Sequence, residues 1–318
     1  MFTKLQLNKI VHWLQKWYVP IKYSYITKRW AEYWNKTEEN KKTCNWWFNY
    51  DEDLLLNTID LYISELWLKD EIILFDFGSG IWNTVIPTIK YLIKKWFKIN
   101  YHAFDISEEI IKLLKQNFKN NNLSVNFDYN IIDFEEKDLS EIIFDTREKY
   151  WDIPILGLFL WNTIWNFTSI ERVLSNIMDA LDLKDKLLIW IEKVDLQNER
   201  WLNKMLDWYK TPNSHKHDFS TLRYLWFKEE YWFFDVIFNN KNLSAEDYFV
   251  FNKDFNVEIN WENFNFKEWE RIKIFHSRKV NEENFSKILS SLDLRICNLR
   301  TSKDNIYLQT LVENKKIF

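Results

Sequence analysis

Apolar residues in the middle of the chain follow two alternating patterns. Short continuous runs rich in Ile, Leu, Val and Phe alternate with stretches of helical spacing. From Asp51 the order reads helix Leu54–Leu66, strand Ile72–Phe77, helix Val85–Lys95, strand Asn100–Ile106, helix Glu108–Phe118 and strand Val125–Ile132. Helix Ser140–Lys149, strand Ile153–Leu160, helix Ile170–Leu181 and strand Lys186–Val194 follow. Five strands with helical crossovers predict an α/β, Rossmann-like, doubly wound parallel sheet. Residues 197–276 break the alternation. One helix, Glu199–Tyr209, a polar loop with Pro212, and short alternating strands predict an α+β insertion. Asn281–Leu292 returns to helical spacing, and Leu294–Leu299 with Ile306–Val312, joined by the turn Arg300–Asn305, predicts an antiparallel terminal hairpin.

The first 50 residues read as an amphipathic helix, a break at Pro20, an aromatic segment from Lys22 to Trp34, and a solvated polar connection from Lys36 to Lys42. The expected organisation is a core of residues 51–196 and 277–318, with residues 1–50 and 197–276 as a substrate-binding accessory domain.

Composition changes this picture in one respect. Ordinary usage of about 7% glycine would place roughly 22 glycines in a chain of this length. The sequence has 3, and it has 19 tryptophans. Several tryptophans stand where glycine chemistry is wanted. Trp96 follows a helix ending Lys94-Lys95, and Trp67 ends the helix before it, both positions where left-handed backbone is common. Trp261 and Trp269 lie in polar turns between strand patterns. Many of these tryptophans are therefore read as glycines specified by UGA, a reassignment known in some bacterial lineages. The competing reading is a Trp-rich binding module that stacks sugars on aromatic faces. Bulky residues in tight turns, and the β-α alternation, argue against it.

Charge and cysteine usage narrow the class. The net charge is −4 with both signs well mixed, so no broad basic surface calls for nucleic acid. Cys44 and Cys297 are isolated and far apart, as in a reducing, cytoplasmic setting. Met1–Tyr18 lacks the uninterrupted apolar centre of a signal peptide, and no run reaches the length of a membrane span. A monomer acting on a small molecule, with no nucleic-acid or membrane partner, is the expectation.

The candidate chemistry centres on residues 71–84. An apolar strand ends in Gly78-Ser79-Gly80 and a helix follows, which brings backbone N–H groups close to a ligand at a helix N-terminus. Asp76-x-Gly78-x-Gly80 fits a nicotinamide dinucleotide or a SAM (S-adenosylmethionine) site. The dehydrogenase fingerprint wants glycine at position 83, which is Asn, whereas glycine in place of Trp82 completes the methyltransferase spacing. Asp105, ending the second strand, is placed to accept ribose hydroxyls, or to cap the helix beginning at Ser107–Glu108. Asp133-Phe134 follows the third strand, where an acid can accept from an adenine amino group beside a stacking ring, or simply form a polar loop. His215-x-His217 lies in a string, Thr211 to His217, that reads as a solvated loop rather than a metal site.

The block Leu158 to Thr168, Leu-Phe-Leu-Trp-Asn-Thr-Ile-Trp-Asn-Phe-Thr, resembles the fourth-strand motif of the histidine-specific, SAM-dependent methyltransferase family when Trp161 and Trp165 are read as glycine. Leu187 to Glu192 resembles that family's next strand, and Lys22-Tyr-Ser-Tyr25 with Arg29 to Trp34 is similar to its N-terminal segment. A parallel sheet closed by an antiparallel hairpin is also that fold's arrangement. The resemblance implies methyl transfer to the α-amino group of an amino acid, histidine in the best-known member. It implies that Gly78, Ser79, Gly80, Asp105, Asp133 and Phe134 hold SAM, with Tyr25 covering it. Asn166 would hold the α-amino and carboxylate end of the acceptor, and Tyr209 its carboxylate. Ser277 falls near the substrate ring, with Phe275 where the family has the acid that grips imidazole. Thr84 replaces a basic residue, and the family's Glu-Tyr-Tyr-Pro tyrosine has no counterpart. A ring N–H left unpaired in a buried pocket costs roughly 1–3 kcal/mol, so Phe275 suits an aromatic or aliphatic acceptor better. A methyltransferase acting on another amine, and a non-catalytic SAM- or nucleotide-binding protein, stay open.

Overall fold

The strands, in chain order, are β1 (Glu71–Phe77), β2 (Lys98–Asp105), β3 (Asn126–Ile131), β4 (Ile155–Phe159), β5 (Lys186–Glu192), β6 (Trp232–Asn239), β7 (Ser244–Phe251), β8 (Phe255–Ile259), β9 (Glu262–Phe266), β10 (Arg271–Arg278), β11 (Leu294–Thr301) and β12 (Tyr307–Asn314). They belong to a computed structural model that describes residues 2–41, 49–66, 70–81, 85–160, 163–196, 198–302, 305 and 307–315. The chain divides into a sheet unit, Trp34–Lys193 with Val280–Phe318, and a second unit, Met1–Tyr33 with Val194–Lys279.

In the sheet unit, seven strands run in the order β11-β12-β5-β4-β1-β2-β3. Strands β1 to β5 are parallel, while β12 pairs antiparallel with β5 and with β11. The strand order reverses between β1 and β4, and such a switch point opens a crevice at the carboxyl ends. Residues of β1 divide by parity between two cores. Ile73, Phe75 and Phe77 join the cluster under helix Ile170–Ala180, and Ile72 and Leu74 join the one under helices Val85–Lys94 and Glu108–Asn120. This is why β1 reads as a continuous apolar run: both faces are covered. The helices present matching stripes, such as Ile110, Ile111, Leu114 and Phe118, and each such buried side chain contributes about 1.5–3 kcal/mol. Ser107 and Ser169 start their helices by accepting backbone N–H groups of Ile110 and Arg172.

In the second unit, β10-β7-β6 form an antiparallel sheet and β8-β9 a separate hairpin. Helix Lys4–Leu14 begins with a capping box of Thr3 and Gln6. Two expectations are corrected. The polar loop at Pro212 is helix Pro212–Asp218, followed by helix Ser220–Tyr224. Thr211 accepts the Ser214 N–H and Pro212 supplies the first turn, so capping chemistry starts a helix that has no apolar period to announce it. His217 is buried there, stacked on Tyr33 with ring centroids 3.2 Å apart, rather than solvated. The polar connection from Lys36 continues helix Lys28–Lys41, since its Glu and Lys residues are good helix formers with no breaker among them.

Among the described residues, five tryptophans have left-handed backbone: Trp17, Trp96, Trp226, Trp261 and Trp269, with φ between 56° and 70°. Trp17, Trp96 and Trp226 occupy the same motif. In each, the following N–H reaches back five residues (Tyr18 to Trp13, Phe97 to Leu92, Phe227 to Leu222) while the tryptophan N–H reaches back three. That is the Schellman helix end, whose left-handed residue is usually glycine. Asn260 and Trp261, both at positive φ, form the two-residue turn of the β8-β9 hairpin, the place of an Asn-Gly pair. Trp96, Trp226 and Trp261 expose their side chains by 80% or more, so little packing offsets the strain. Trp67, Trp82 and Trp161 lie outside the described residues.

Left-handed backbone costs a residue with a Cβ about 1–2 kcal/mol. Glycine loses about 0.5–1 kcal/mol more chain entropy on folding. Trp226→Gly and Trp261→Gly should therefore each stabilise by roughly 0.5–1 kcal/mol, read as a higher denaturant midpoint at unchanged slope. An equal gain with alanine would show that loss of the indole, not relief of the backbone, is responsible. The glycine reading also expects protein from the source organism to have an intact mass below that of the written sequence.

Candidate functional site

β1 ends at Phe77, and the chain turns through Gly78 (φ +70°) and Gly80 (φ +58°). The turn is tight for two reasons. Both φ values disfavour a Cβ, and at Gly78 an added Cβ would lie 2.7 Å from Thr163 Cγ2. The close approach lets the Gly78 and Ser79 N–H groups donate to the Phe104 carbonyl at 2.8 and 3.0 Å. The first glycine turn is thereby tied to the end of β2. Ser79 is buried, and its hydroxyl has no hydrogen-bond partner among the described residues.

Asp105 is the last residue of β2. Its Oδ2 accepts the Gly80 N–H at 3.1 Å and its Oδ1 the Ser107 N–H at 2.9 Å. The helix cap itself is Ser107. Asp105 remains partly accessible, yet the protein packed around it raises its carboxyl to about 6, against the lowering effect of the Ser107, Gly80 and Ile106 N–H groups. Asp76, inside β1, is raised to about 7 by burial, with the Tyr101 hydroxyl donating to it at 2.5 Å and Asp105 adding repulsion. Asp133 accepts the Glu135 N–H at 3.0 Å, which folds the turn after β3. Phe134 is buried, edge-on to Phe77 and Phe167 at 5.9 and 6.1 Å, so its ring is part of the core. Asn166 closes the 3-10 turn Thr163–Asn166 after β4, and Trp165 beside it is fully buried with no acceptor for its indole N–H among the described residues. Gly78, Ser79, Gly80 and Asp105 are thus held in one hydrogen-bonded loop cluster. Asp133, Phe134 and Asn166 follow the neighbouring strands at the same edge. Thr84 lies outside the described residues.

The remaining expected residues belong to the second unit. Tyr25 ends helix Lys22–Tyr25 with its ring 4.5 Å from that of Trp30. Tyr209 ends helix Glu199–Tyr209, and its ring lies 5.4 Å from Phe275 of β10. Ser277, on the same strand, is buried. What joins them is Lys279, which sequence reading missed. Its Nζ donates to the Tyr209 hydroxyl at 3.2 Å and to Ser277 Oγ at 3.1 Å, and the side chain is 1% exposed. The signal was available: Phe275, Ser277 and Lys279 alternate with period 2, which sets them on one face.

The Gly78 contact yields a test of how much the loop depends on close approach. Gly78→Ala should destabilise by about 2 kcal/mol from backbone strain and the clash together. Adding Thr163→Ser, which removes the clashing methyl, should recover the clash but not the strain in a chemical melt.

No curated protein matches the chain. The sequence pattern described as histidine-specific methyltransferase, SAM-dependent, matches residues 41–314. Among solved structures the chain is similar to the CcbJ methyltransferase from Streptomyces caelestis, at 9% identity, covering 82% of this chain and 90% of that one, TM-score 0.41. It is also similar to the 1,6-didemethyltoxoflavin-N1-methyltransferase of Burkholderia thailandensis, solved with 1,6-didemethyltoxoflavin and S-adenosylhomocysteine, at 8% identity, covering 90% and 88%, TM-score 0.43. A third is a SAM-dependent methyltransferase from Anabaena variabilis, at 13% identity, covering 90% and 93%, TM-score 0.45. With its parallel sheet closed by an antiparallel hairpin and this match over most of its length, the chain belongs to the histidine-specific, SAM-dependent methyltransferase family, a Rossmann-like class I methyltransferase whose cofactor is SAM.

Proposed function

We propose that the protein methylates the α-amino group of an amino acid of the histidine type. The observation that carries this reading is the buried Lys279, whose ammonium binds both the Tyr209 hydroxyl and Ser277 Oγ. A cation flanked by hydroxyl donors suits the carboxylate of a free amino acid.

The glycine loop fits the cofactor. The turn at Gly78 has no room for a Cβ beside Thr163, the buried Ser79 hydroxyl has no hydrogen-bond partner among the described residues, and Asp105 offers a carboxylate at the end of β2. In this reading Gly78, Ser79, Gly80, Asp105, Asp133 and Phe134 hold SAM. SAM supplies, when bound, an electrophilic methyl group on a sulfonium that is already a good leaving group. The residues have the simpler task of alignment. Asn166 orients the acceptor amine so that the nitrogen lone pair faces the methyl carbon, and the Tyr209–Lys279 pair suits an amino acid's carboxylate. The attacking amine must be unprotonated, which a water-poor pocket favours because it penalises the ammonium form. No strong base is needed. A second reading is a methyltransferase for a different, aromatic amine. Phe275 favours it, since its ring packs against Tyr209 where the family has an acid.

Asp105→Ala should nearly abolish SAM binding in calorimetry, and unchanged affinity would refute the assignment. An ionised Asp105 accepts ribose hydroxyls. Because its carboxyl is raised to about 6, SAM affinity should be level at higher pH and fall as pH drops through that value. Asp105→Asn should be weak and flat over the same range. Asn166→Ala should reduce turnover with SAM affinity nearly intact. Lys279→Met should raise the acceptor KM by about tenfold, the worth of one charge-assisted hydrogen bond, with a smaller effect on kcat.

A further inference from the structure

Asp76 of β1 is in register with Ala103 of β2. Alternate residues of a strand share a face, so Tyr101, Ala103 and Asp105 form one row on β2, with Asp76 across from its middle. The small Ala103 leaves Asp76 between a hydroxyl on one side and a second acid on the other. The Tyr101 hydroxyl donates to Asp76 Oδ2 at 2.5 Å, the one hydrogen bond to this carboxyl among the described residues. Asp76 is 3% exposed, and Tyr101 is fully buried. The Tyr101 ring packs against Phe118 of helix Glu108–Asn120 and Phe127 of β3, with centroids 4.7 and 5.5 Å away, which fixes where its hydroxyl points. On the other flank of Asp76, β4 presents Leu158.

An acid in such surroundings tends to lose its charge. Burial raises Asp76 to about 7, and the charge of Asp105 adds to the rise. The Tyr101 hydroxyl works against both, because a hydrogen bond donated to a carboxylate stabilises its ionised form. Tyr101 and Asp105 are the titratable groups that act on Asp76. Tyr101 itself keeps its proton, since burial and the two nearby acids lift it well above its usual range. Near neutral pH, the hydroxyl decides how much negative charge the end of β1 carries.

Gly78, which begins the glycine turn, follows two residues after Asp76. We infer that Tyr101 is a positioning residue for the cofactor, and that the charge it maintains on Asp76 makes the protein favour SAM over S-adenosylhomocysteine. This rests on the reading of the glycine loop as the cofactor site. The two ligands share their adenosine and amino-acid ends. They differ by a methyl group and by the positive charge on sulfur, which methyl transfer removes. A negative charge at the end of β1 attracts the sulfonium and has no such hold on the neutral thioether, so fresh SAM displaces the spent cofactor. Asp105 has a separate task, because it meets the ribose that both ligands carry and moves their affinities together.

The test is calorimetric and needs no methyl acceptor: the Kd of SAM and of S-adenosylhomocysteine, measured from about pH 5.5 to about pH 9. The preference for SAM needs ionised Asp76, so it is fully present at alkaline pH and lost as pH falls. In the wild-type protein the ratio of the two constants should change by about three- to tenfold, with its midpoint near 7. Tyr101→Phe should move that midpoint upward by about one pH unit, so that a preference lost at neutral pH returns when the pH is raised. A purely structural role for Tyr101 would instead weaken both ligands alike at every pH. Asp76→Asn should remove the step and hold the ratio at its acid value throughout. Should Tyr101→Phe not fold, Asp76→Asn carries the test. A wild-type ratio that is flat with pH, or a step left unmoved by Tyr101→Phe or still present in Asp76→Asn, overturns the inference alone. Unchanged SAM affinity in Asp105→Ala overturns the cofactor-site reading and this inference with it.

Discussion

The Phe104 carbonyl takes two N–H groups, from Gly78 and Ser79, and the carboxyl edge of the parallel sheet is shaped by that junction. It draws the loop after β1 onto the end of β2, and the next donor, Gly80, then reaches the Asp105 carboxylate. The arrangement needs left-handed backbone at two successive alternate residues and almost no side-chain volume at the first. Glycine meets both demands. A chain that has 3 glycines in all spends 2 of them here.

The same demand recurs elsewhere without being met. Three Schellman helix ends and a two-residue hairpin turn impose left-handed backbone on tryptophan. The geometry of those turns is dictated by the elements they join: a helix end must satisfy its last carbonyls, and a tight hairpin must match the twist of its strands. The fold tolerates each case because the indoles point outward at Trp96, Trp226 and Trp261. Trp165 is different. It is fully buried beside Asn166, so a change of side-chain volume there bears directly on the position of Asn166.

Buried charge divides the second unit's polar groups into two kinds. Lys279 is surrounded by hydroxyls that accept from it, and it links Tyr209 to Ser277. Both carboxylate oxygens of Asp247 and Oδ2 of Asp218 are buried with no hydrogen-bond partner among the described residues.

Much of this was written in the order of residues. Continuous apolar runs marked β1, β4 and β5 because both of their faces are covered, and helical spacing marked the crossovers. The glycine turn, the acid ending β2 and the C-terminal hairpin needed nothing beyond local chemistry and order. Helix Pro212–Asp218 escaped because it is started by a cap and a proline, and its polar residues carry no period. Lys279 and Asp247 escaped for another reason: a lysine after a strand, or an aspartate within one, reads as solvated until its neighbours are known. Whether such a side chain meets water, a hydroxyl or a second carboxyl is set by which strand lies across from it. Register and burial are properties of the assembled sheet, so they decide the charge state and the partners, while the sequence alone determines the elements and the turns that bring them to it.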